Sequence, residues 1–200
     1  MVIDVHTHIV PEFFPDYIGK SSGAKWPSMG CCDQPHHRAV LIEGKTFREV
    51  SDHCWDTGQR LLDMKEEGID RQVLSPMPEL LSYWFDLDDA VRMCKHMNHT
   101  VASMVSSSPE SFYGLGMVPL QDPKRAAQEM SRLRADYGLL GIEVGTNING
   151  RPIGDPFFEP VFEAAVEHGL SIFIHALHPA GVERIIGPPA MSALVAFPNE

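Results

Sequence analysis

Apolar strand-like runs alternate with amphipathic helical segments along most of the chain, and this alternation constrains the fold more than any other feature. Five strand–helix units begin at residues 2, 70, 112, 139 and 170. The run at 170–174 is apolar without alternation, which is typical of a parallel strand buried on both faces. The pattern predicts an α/β fold, either a doubly wound sheet or a (β/α)8 TIM barrel.

Capping residues mark the ends of the predicted helices, because aspartate suits the start of a helix and glycine or proline its end. Four helices are predicted in this way. Three run from Asp56 to Gly68, from Asp122 to Gly138 and from Asp155 to Gly169. The fourth and longest begins at Asp86, Asp88 or Asp89 and stops at Pro109. In the longest helix, apolar residues recur at spacings of three and four and predict one buried face, formed by Ala90, Cys94, Met97, Val101 and Met104.

Residues 16–47 lack clear periodicity and come directly after the first strand unit. Short β-type runs flank Glu43, Gly44 and Lys45, which favours a hairpin with a glycine-containing turn. We therefore expect a single domain over 1–200 with a small insertion at about 16–47.

Histidines end two of the predicted strands. His6 and His8 point to the same face of the first strand, although such a pair alone also fits a solvated strand end. His175 ends the fifth strand, and a barrel, unlike an open sheet, brings both strand ends to one mouth. Three neutral imidazoles suit Zn²⁺ and also Mn²⁺, Fe²⁺ or Co²⁺, so we expect one divalent metal, with Asp4 orienting a ring.

Three further residues have both a plain and a functional interpretation. Arg48 fits a surface salt bridge, but arginine is also the residue for bidentate carboxylate binding. Trp84 fits the core, an interface or a pocket wall, and His178 fits a loop cap or a group near the metal. The residues alone leave these alternatives open.

The net charge of -11 and the sequence pI near 5.3 argue against nucleic acid or an anionic membrane as a partner, because either requires a basic surface. Four cysteines occur without a C-x-x-C pair, which favours reduced thiols. No secretory signal and no apolar stretch of bilayer-spanning length is visible, so we expect a cytoplasmic protein.

The length is short for the predicted barrel, which usually takes about 250 residues. Five strand–helix units are complete by about residue 175 of 200, after an insertion has already taken part of the chain. We therefore expect the chain to cover about the first five units of a barrel.

Several motifs together resemble the amidohydrolase superfamily, and within it the metal-dependent decarboxylases of the 2-amino-3-carboxymuconate-6-semialdehyde decarboxylase type. They span nearly the whole chain in the order of that family: 3–8, 47–48, 54–56, 82–84, 114–116 with Pro119, 141–146 and 172–175. Two departures concern the specificity of the site. Glu143 stands where the family usually has glutamine, and His175 and His178 lie in a segment where the family has His-Pro-Trp.

The resemblance implies a (β/α)8 barrel with a small insertion after the first strand, and one divalent metal, usually zinc. It implies that His6, His8 and His175 are ligands, together with an aspartate that this chain does not reach by residue 200. It also implies that Arg48 binds a substrate carboxylate, and we group Trp84 and His178 with it as substrate-binding residues. The catalytic residues stay unassigned, because the matching histidine and aspartate lie beyond residue 200.

The resulting hypothesis is a metal-dependent decarboxylase, a carbon–carbon lyase, that acts as a homodimer on a small unsaturated or aromatic carboxylic acid. An alternative is a metal-dependent hydrolase or hydratase, since the same site can deliver hydroxide to a carbonyl group. A further alternative is an inactive fragment of such an enzyme.

Overall fold

Five parallel strands form the central sheet of the computed structural model, which describes residues 1–21, 25–179, 182–188 and 190–199. The strands follow the predicted runs: β1 is Ile3–Ile9, and β5, β6, β7 and β10 are Arg71–Pro76, Phe112–Gly116, Gly141–Gly145 and Ser171–His175. They lie in the order β1-β5-β6-β7-β10, with every neighbouring pair parallel. The predicted α/β class is confirmed.

The sheet curls until its first and last strands face each other. In a flat sheet, β1 and β10 would lie about 19 Å apart, because four interstrand steps of about 4.8 Å separate them. The rings of His6 on β1 and His175 on β10 instead have centroids only 5.1 Å apart. Curling of this degree belongs to part of a barrel wall and excludes a doubly wound sheet.

Four long helices cover the sheet. They are α1 (Thr57–Glu67), α2 (Leu87–Ser107), α3 (Pro123–Tyr137) and α4 (Glu159–His168). The predicted aspartate caps are confirmed at Asp56 and Asp122, whereas Asp86 makes no side-chain cap hydrogen bond and Asp155 caps the short 3-10 turn Pro156–Phe158 that precedes the fourth helix. Asp56 caps α1 by accepting hydrogen bonds from two backbone N–H groups, and Gly68 ends it in a left-handed conformation. The predicted face of α2 is buried, from Ala90 to Met104, so it packs into the core as its periodicity indicated.

A three-stranded antiparallel sheet follows β1. Its strands are β2 (Pro27–Cys31), β3 (His37–Ile42) and β4 (Lys45–Ser51). The predicted hairpin joins β3 to β4, and Glu43 and Gly44 both adopt positive φ at its turn. This sheet brings the β4 side chains to the carboxyl end of β1 and β10.

The remaining elements are short. The two-residue strands β8 (Asn147–Ile148) and β9 (Arg151–Pro152) pair after β7. A π-helical turn at Ser192–Ala196 leads into a last turn, α5 (Phe197–Asn199). No helix in the described part of the chain combines the length and apolar character that crossing a bilayer requires.

Candidate metal centre

His6 and His8 reach the site because side chains alternate along β1. Thr7 and Ile9 turn into the core and are buried, whereas His6 is exposed and His8 is half-buried. The Thr7 hydroxyl donates to the Val73 carbonyl at 2.9 Å and fixes β1 against its neighbour. Both imidazoles therefore lie on the inner face of the curled sheet.

The three histidines at the strand ends converge on one point. The Nε2 atoms of His6 and His8 lie 3.1 Å apart, and His175 has its ring centroid 5.1 Å from each of the other two. One ring nitrogen from each histidine lies within 4.8 Å of the others. Metal–nitrogen bonds of about 2.1 Å place tetrahedral ligand atoms roughly 3.4 Å apart, so the three rings lie close to the positions that one cation requires.

Backbone carbonyl groups fix two of the three rings. The Nδ1 of His8 lies 3.2 Å from the Pro76 carbonyl oxygen, and the Nδ1 of His175 lies 2.7 Å from that of Ala176. A ring that donates its Nδ1 proton to a carbonyl keeps Nε2 unprotonated and available as a ligand. The carbonyl contacts thus favour the tautomer that binds metal.

The electrostatics of the triad favour a neutral imidazole at His6. Partial burial, followed by the neighbouring charges of His8 and His175, lowers the pKa of His6. A metal binds the neutral form of histidine, so a lowered pKa reduces competition by protons.

Asp4 does not orient an imidazole, contrary to the expectation from the sequence. Its Oδ1 accepts a hydrogen bond from the backbone N–H of His6 at 3.1 Å and shapes the end of β1. The carboxylate beside an imidazole belongs instead to Glu143, whose Oε2 lies 3.6 Å from the Nδ1 of His8. Glu143 is 1% exposed, and neither of its carboxylate oxygens has a hydrogen-bond partner among the described residues. A buried carboxylate without a hydrogen-bond partner in the described structure, next to the ring of one proposed ligand, fits a cation at this position.

Arg60, which sequence reasoning missed, stabilises the backbone of the strand that carries His6 and His8. It is buried on α1, and its guanidinium donates to the carbonyl oxygens of His8 and His53, each at 3.0 Å, and to Oε1 of Gln72 at 3.1 Å. It therefore links β1, α1 and β5 at the level of the ligands. No sequence signal distinguishes it from an arginine on the exposed face of a helix.

A cavity of about 420 Å³ opens beside the triad. His8 and His175 contribute to one part of its wall, and Phe47 and Arg48 reach it from β4. Among the described residues, no carboxylate lies within 4.0 Å of the Arg48 guanidinium, so the surface salt bridge is not formed. Arg48 thus places a positive charge in the same cavity as two of the three imidazoles, those of His8 and His175.

His178 lines the same cavity and is held by two contacts. Its Nε2 lies 3.0 Å from Oε2 of Glu79, and its ring stacks on Trp84 with centroids 5.4 Å apart. Trp84 itself borders a smaller adjoining cavity of about 150 Å³. The structure therefore brings His178 to the large cavity directly, whereas Trp84 acts as a support behind it.

The family model for amidohydrolases matches residues 3–198 of this chain. The 2-amino-3-carboxymuconate-6-semialdehyde decarboxylase of Dictyostelium discoideum is 34% identical over 204 residues, covering 96% of this chain and 55% of that enzyme. The chain thus spans about half the length of the curated relatives it matches.

Two solved structures share the fold. The 5-carboxyvanillate decarboxylase of Sphingomonas paucimobilis superposes with a TM-score of 0.66 at 33% identity, over 72% of this chain and 44% of that one. The enzyme of the same name from Novosphingobium aromaticivorans, complexed with manganese and 4-hydroxy-3-methoxy-5-nitrobenzoic acid, gives 0.63 at 31% identity, over 72% and 41%. Both likenesses agree with a partial TIM barrel. Together with the family match over 3–198, they show that the chain belongs to the amidohydrolase family.

Proposed function

We propose that this chain serves in the metal-dependent decarboxylation of a small unsaturated or aromatic carboxylic acid. The observation that carries the proposal is the convergence of three imidazoles beside a cavity whose wall contains two of them, His8 and His175, together with Arg48. A cation and an arginine side by side suit a substrate that carries a carboxylate and a second oxygen group. The named decarboxylases among the relatives and solved structures support the same reaction type.

The proposed ligands are His6, His8 and His175. A divalent metal bound there supplies a Lewis acid for an oxygen of the substrate and lowers the pKa of bound water. We propose zinc, because three imidazoles are a common ligand set for it; the manganese in the Novosphingobium aromaticivorans enzyme supports a divalent ion in general.

The residues around the cavity then have distinct tasks. Arg48 binds a substrate carboxylate by paired hydrogen bonds, and Phe47 and Met77 line the cavity as apolar walls for the unsaturated part of the acid. His178, held by Glu79, offers a further polar contact in the cavity wall. In the reaction the bond to the carboxyl carbon breaks, CO₂ leaves, and the electron pair stays on the substrate carbon until a proton replaces the lost group.

The test is a product assay on the metal-loaded chain with a panel of carboxylated aromatic and unsaturated acids. Release of ¹³CO₂ from carboxyl-labelled substrate, without incorporation of ¹⁸O from water, is the expected result. Uptake of ¹⁸O without CO₂ identifies a hydrolase or hydratase and contradicts the proposal. A metal-loaded chain that transforms no acid of the panel also contradicts it.

We further propose that the protein works in the cytoplasm as a homodimer. The four cysteines are all free thiols, and Cys31 is exposed, which suits a reducing compartment. The dimer rests on the family resemblance, and light scattering of the purified protein tests it through the molar mass.

A further inference from the structure

Glu143 is a charged residue in the most deeply buried strand of the sheet. All five residues of β7 are buried, and Glu143 lies in its middle between Ile142 and Val144. Both carboxylate oxygens are inaccessible and lack hydrogen-bond partners in the described part of the chain. An ionised carboxylate is costly in such a place unless a positive charge compensates it.

The surroundings of Glu143 offer few sources of that compensation. No lysine or arginine of the described residues lies within 4.0 Å of its carboxylate, and its one ion-pair contact is with His8. The nearby Tyr83 phenol is neutral, because burial raises its pKa and the charge of Glu143 raises it further. Of the histidines at the site, His8 makes the close contact, and the charge of Glu143 also acts on His6 from farther away. Compensation therefore comes through the metal site, most directly at His8.

The two ring nitrogens of His8 face different groups. The carboxylate lies on the Nδ1 side of the ring, 3.6 Å away, whereas the Nε2 atom points to His6. Ser75 also approaches Nδ1, at 3.2 Å, but its hydroxyl donates to the Thr7 carbonyl and has no second proton to give. The Nδ1 proton of His8 is thus the donor that faces Glu143 and the Pro76 carbonyl together.

We infer that Glu143 is a positioning residue for the metal centre: its buried negative charge lies behind His8 and strengthens cation binding at the Nε2 atom. This inference rests on the metal site of the proposed function. A carboxylate behind a ligating imidazole fixes the tautomer, makes the ring more basic and adds favourable charge. In return, the cation compensates a carboxylate that the fold leaves without a partner.

The first test is Glu143→Gln, which keeps the shape of the side chain and removes its charge. We measure the Zn²⁺ dissociation constant by competition with a chelating dye, and the melting temperature with and without Zn²⁺. We expect about 10-fold or greater loss of affinity, in line with other residues behind metal ligands. We also expect the metal-free variant to melt no lower than the metal-free wild type, because a buried uncompensated charge is gone. Glu167→Gln, at an exposed position on α4, is the matched control and should change neither quantity.

The outcomes of these measurements separate the role of Glu143 from the existence of the metal site. Unchanged Zn²⁺ affinity in Glu143→Gln, with the wild type binding normally, overturns the role of Glu143 and leaves the metal site standing. A wild-type chain that binds no Zn²⁺ overturns the proposed function as well. Should the variant fail to fold, the Zn²⁺-loaded wild type still answers the question by ¹H–¹⁵N NMR of the histidine rings. A protonated Nδ1 on His8 is expected there, and an unprotonated Nδ1 overturns the inference.

Discussion

Replacing Arg60 by methionine should destabilise the fold and loosen the metal centre together. Arg60 is 7% exposed, and its guanidinium donates to the carbonyl oxygens of His8 and His53 and to the side chain of Gln72. Methionine keeps most of the apolar bulk of the side chain and none of the donors. Two backbone carbonyl groups and one amide oxygen then lose their partners at the junction of β1, α1 and β5.

The magnitude follows from two opposing effects. Hydrogen bonds from a charged donor contribute about 1.5–3 kcal/mol each, so three of them amount to roughly 4.5–9 kcal/mol in gross terms. Removing the guanidinium also removes its desolvation penalty of several kcal/mol, and burial does lower the pKa of Arg60. The net loss is therefore about 2–4 kcal/mol, or roughly 10 °C in melting temperature for a domain of this size.

Urea denaturation and thermal melting of the metal-free chain measure this loss. Lys65→Met is the matched control, because Lys65 is exposed on the same helix and its replacement should change stability by no more than about 0.5 kcal/mol. Zn²⁺ affinity should also fall in Arg60→Met, since the His8 backbone loses its anchor. A stability loss for Arg60→Met no larger than that of Lys65→Met would refute the reasoning.

Three other substitutions test separate parts of the structure. Arg48→Ala should lower decarboxylation at least tenfold while metal content, measured by elemental analysis, stays at the wild-type level; normal turnover would remove Arg48 from the site. Asn98→Ala should cost about 2–4 kcal/mol in urea denaturation, because it removes both buried hydrogen bonds to the Met117 backbone; a loss below about 1 kcal/mol would contradict this. The Val2 backbone N–H, at 2.6 Å, holds the pKa of Asp70 below its usual 3.8, so NMR should find the carboxyl titrating below that value. The contribution of the Asp70 carboxylate to the free energy of unfolding is present above pH 3.8 and is lost as the pH falls through the lowered pKa. Asp70→Asn should abolish this pH dependence of stability.

Much of the fold could be predicted from the sequence because the deciding interactions are local. Asp56 and Asp122 accept from backbone N–H groups within three residues, and Gly68 and Gly138 take the left-handed conformation at the helix ends. Such effects act over one turn of helix, so residue type and spacing suffice to predict them. The apolar character of 170–174 predicts a parallel strand, which is confirmed. The predicted burial on both faces is wrong: Ser171 and Ile174 are exposed, because β10 is an edge strand of the described sheet.

The parts that escaped prediction depend on contacts between distant segments. Arg60 and Gln72 meet only because α1 packs across the end of β1. Strand β2 pairs with β3 although its segment has no apolar alternation, since the partner strand supplies the hydrogen bonds. The sequence marks Glu143 as unusual because the family usually has glutamine at this position, but its approach to His8 depends on the curl of the sheet. The alternation of strands and helices alone does not distinguish a curled sheet from an open one, since both architectures fit that pattern.

The arrangement of the three histidines is the most secure link between this fold and a chemical activity. The imidazoles arrive from β1 and β10, the first and last strands of the sheet, which face each other only because the sheet curls. Their joint position therefore tests the fold, the site and the proposed function together.

The most direct test is the metal stoichiometry of the purified chain, measured by isothermal titration with Zn²⁺ and confirmed by elemental analysis. One ion per chain is expected for the wild type, and none at the same concentrations for His175→Ala. His168→Ala, at the end of α4, is the control and should bind like the wild type. Stoichiometric binding by His175→Ala, or no binding by the wild type, would contradict the assignment of His6, His8 and His175 as the metal site.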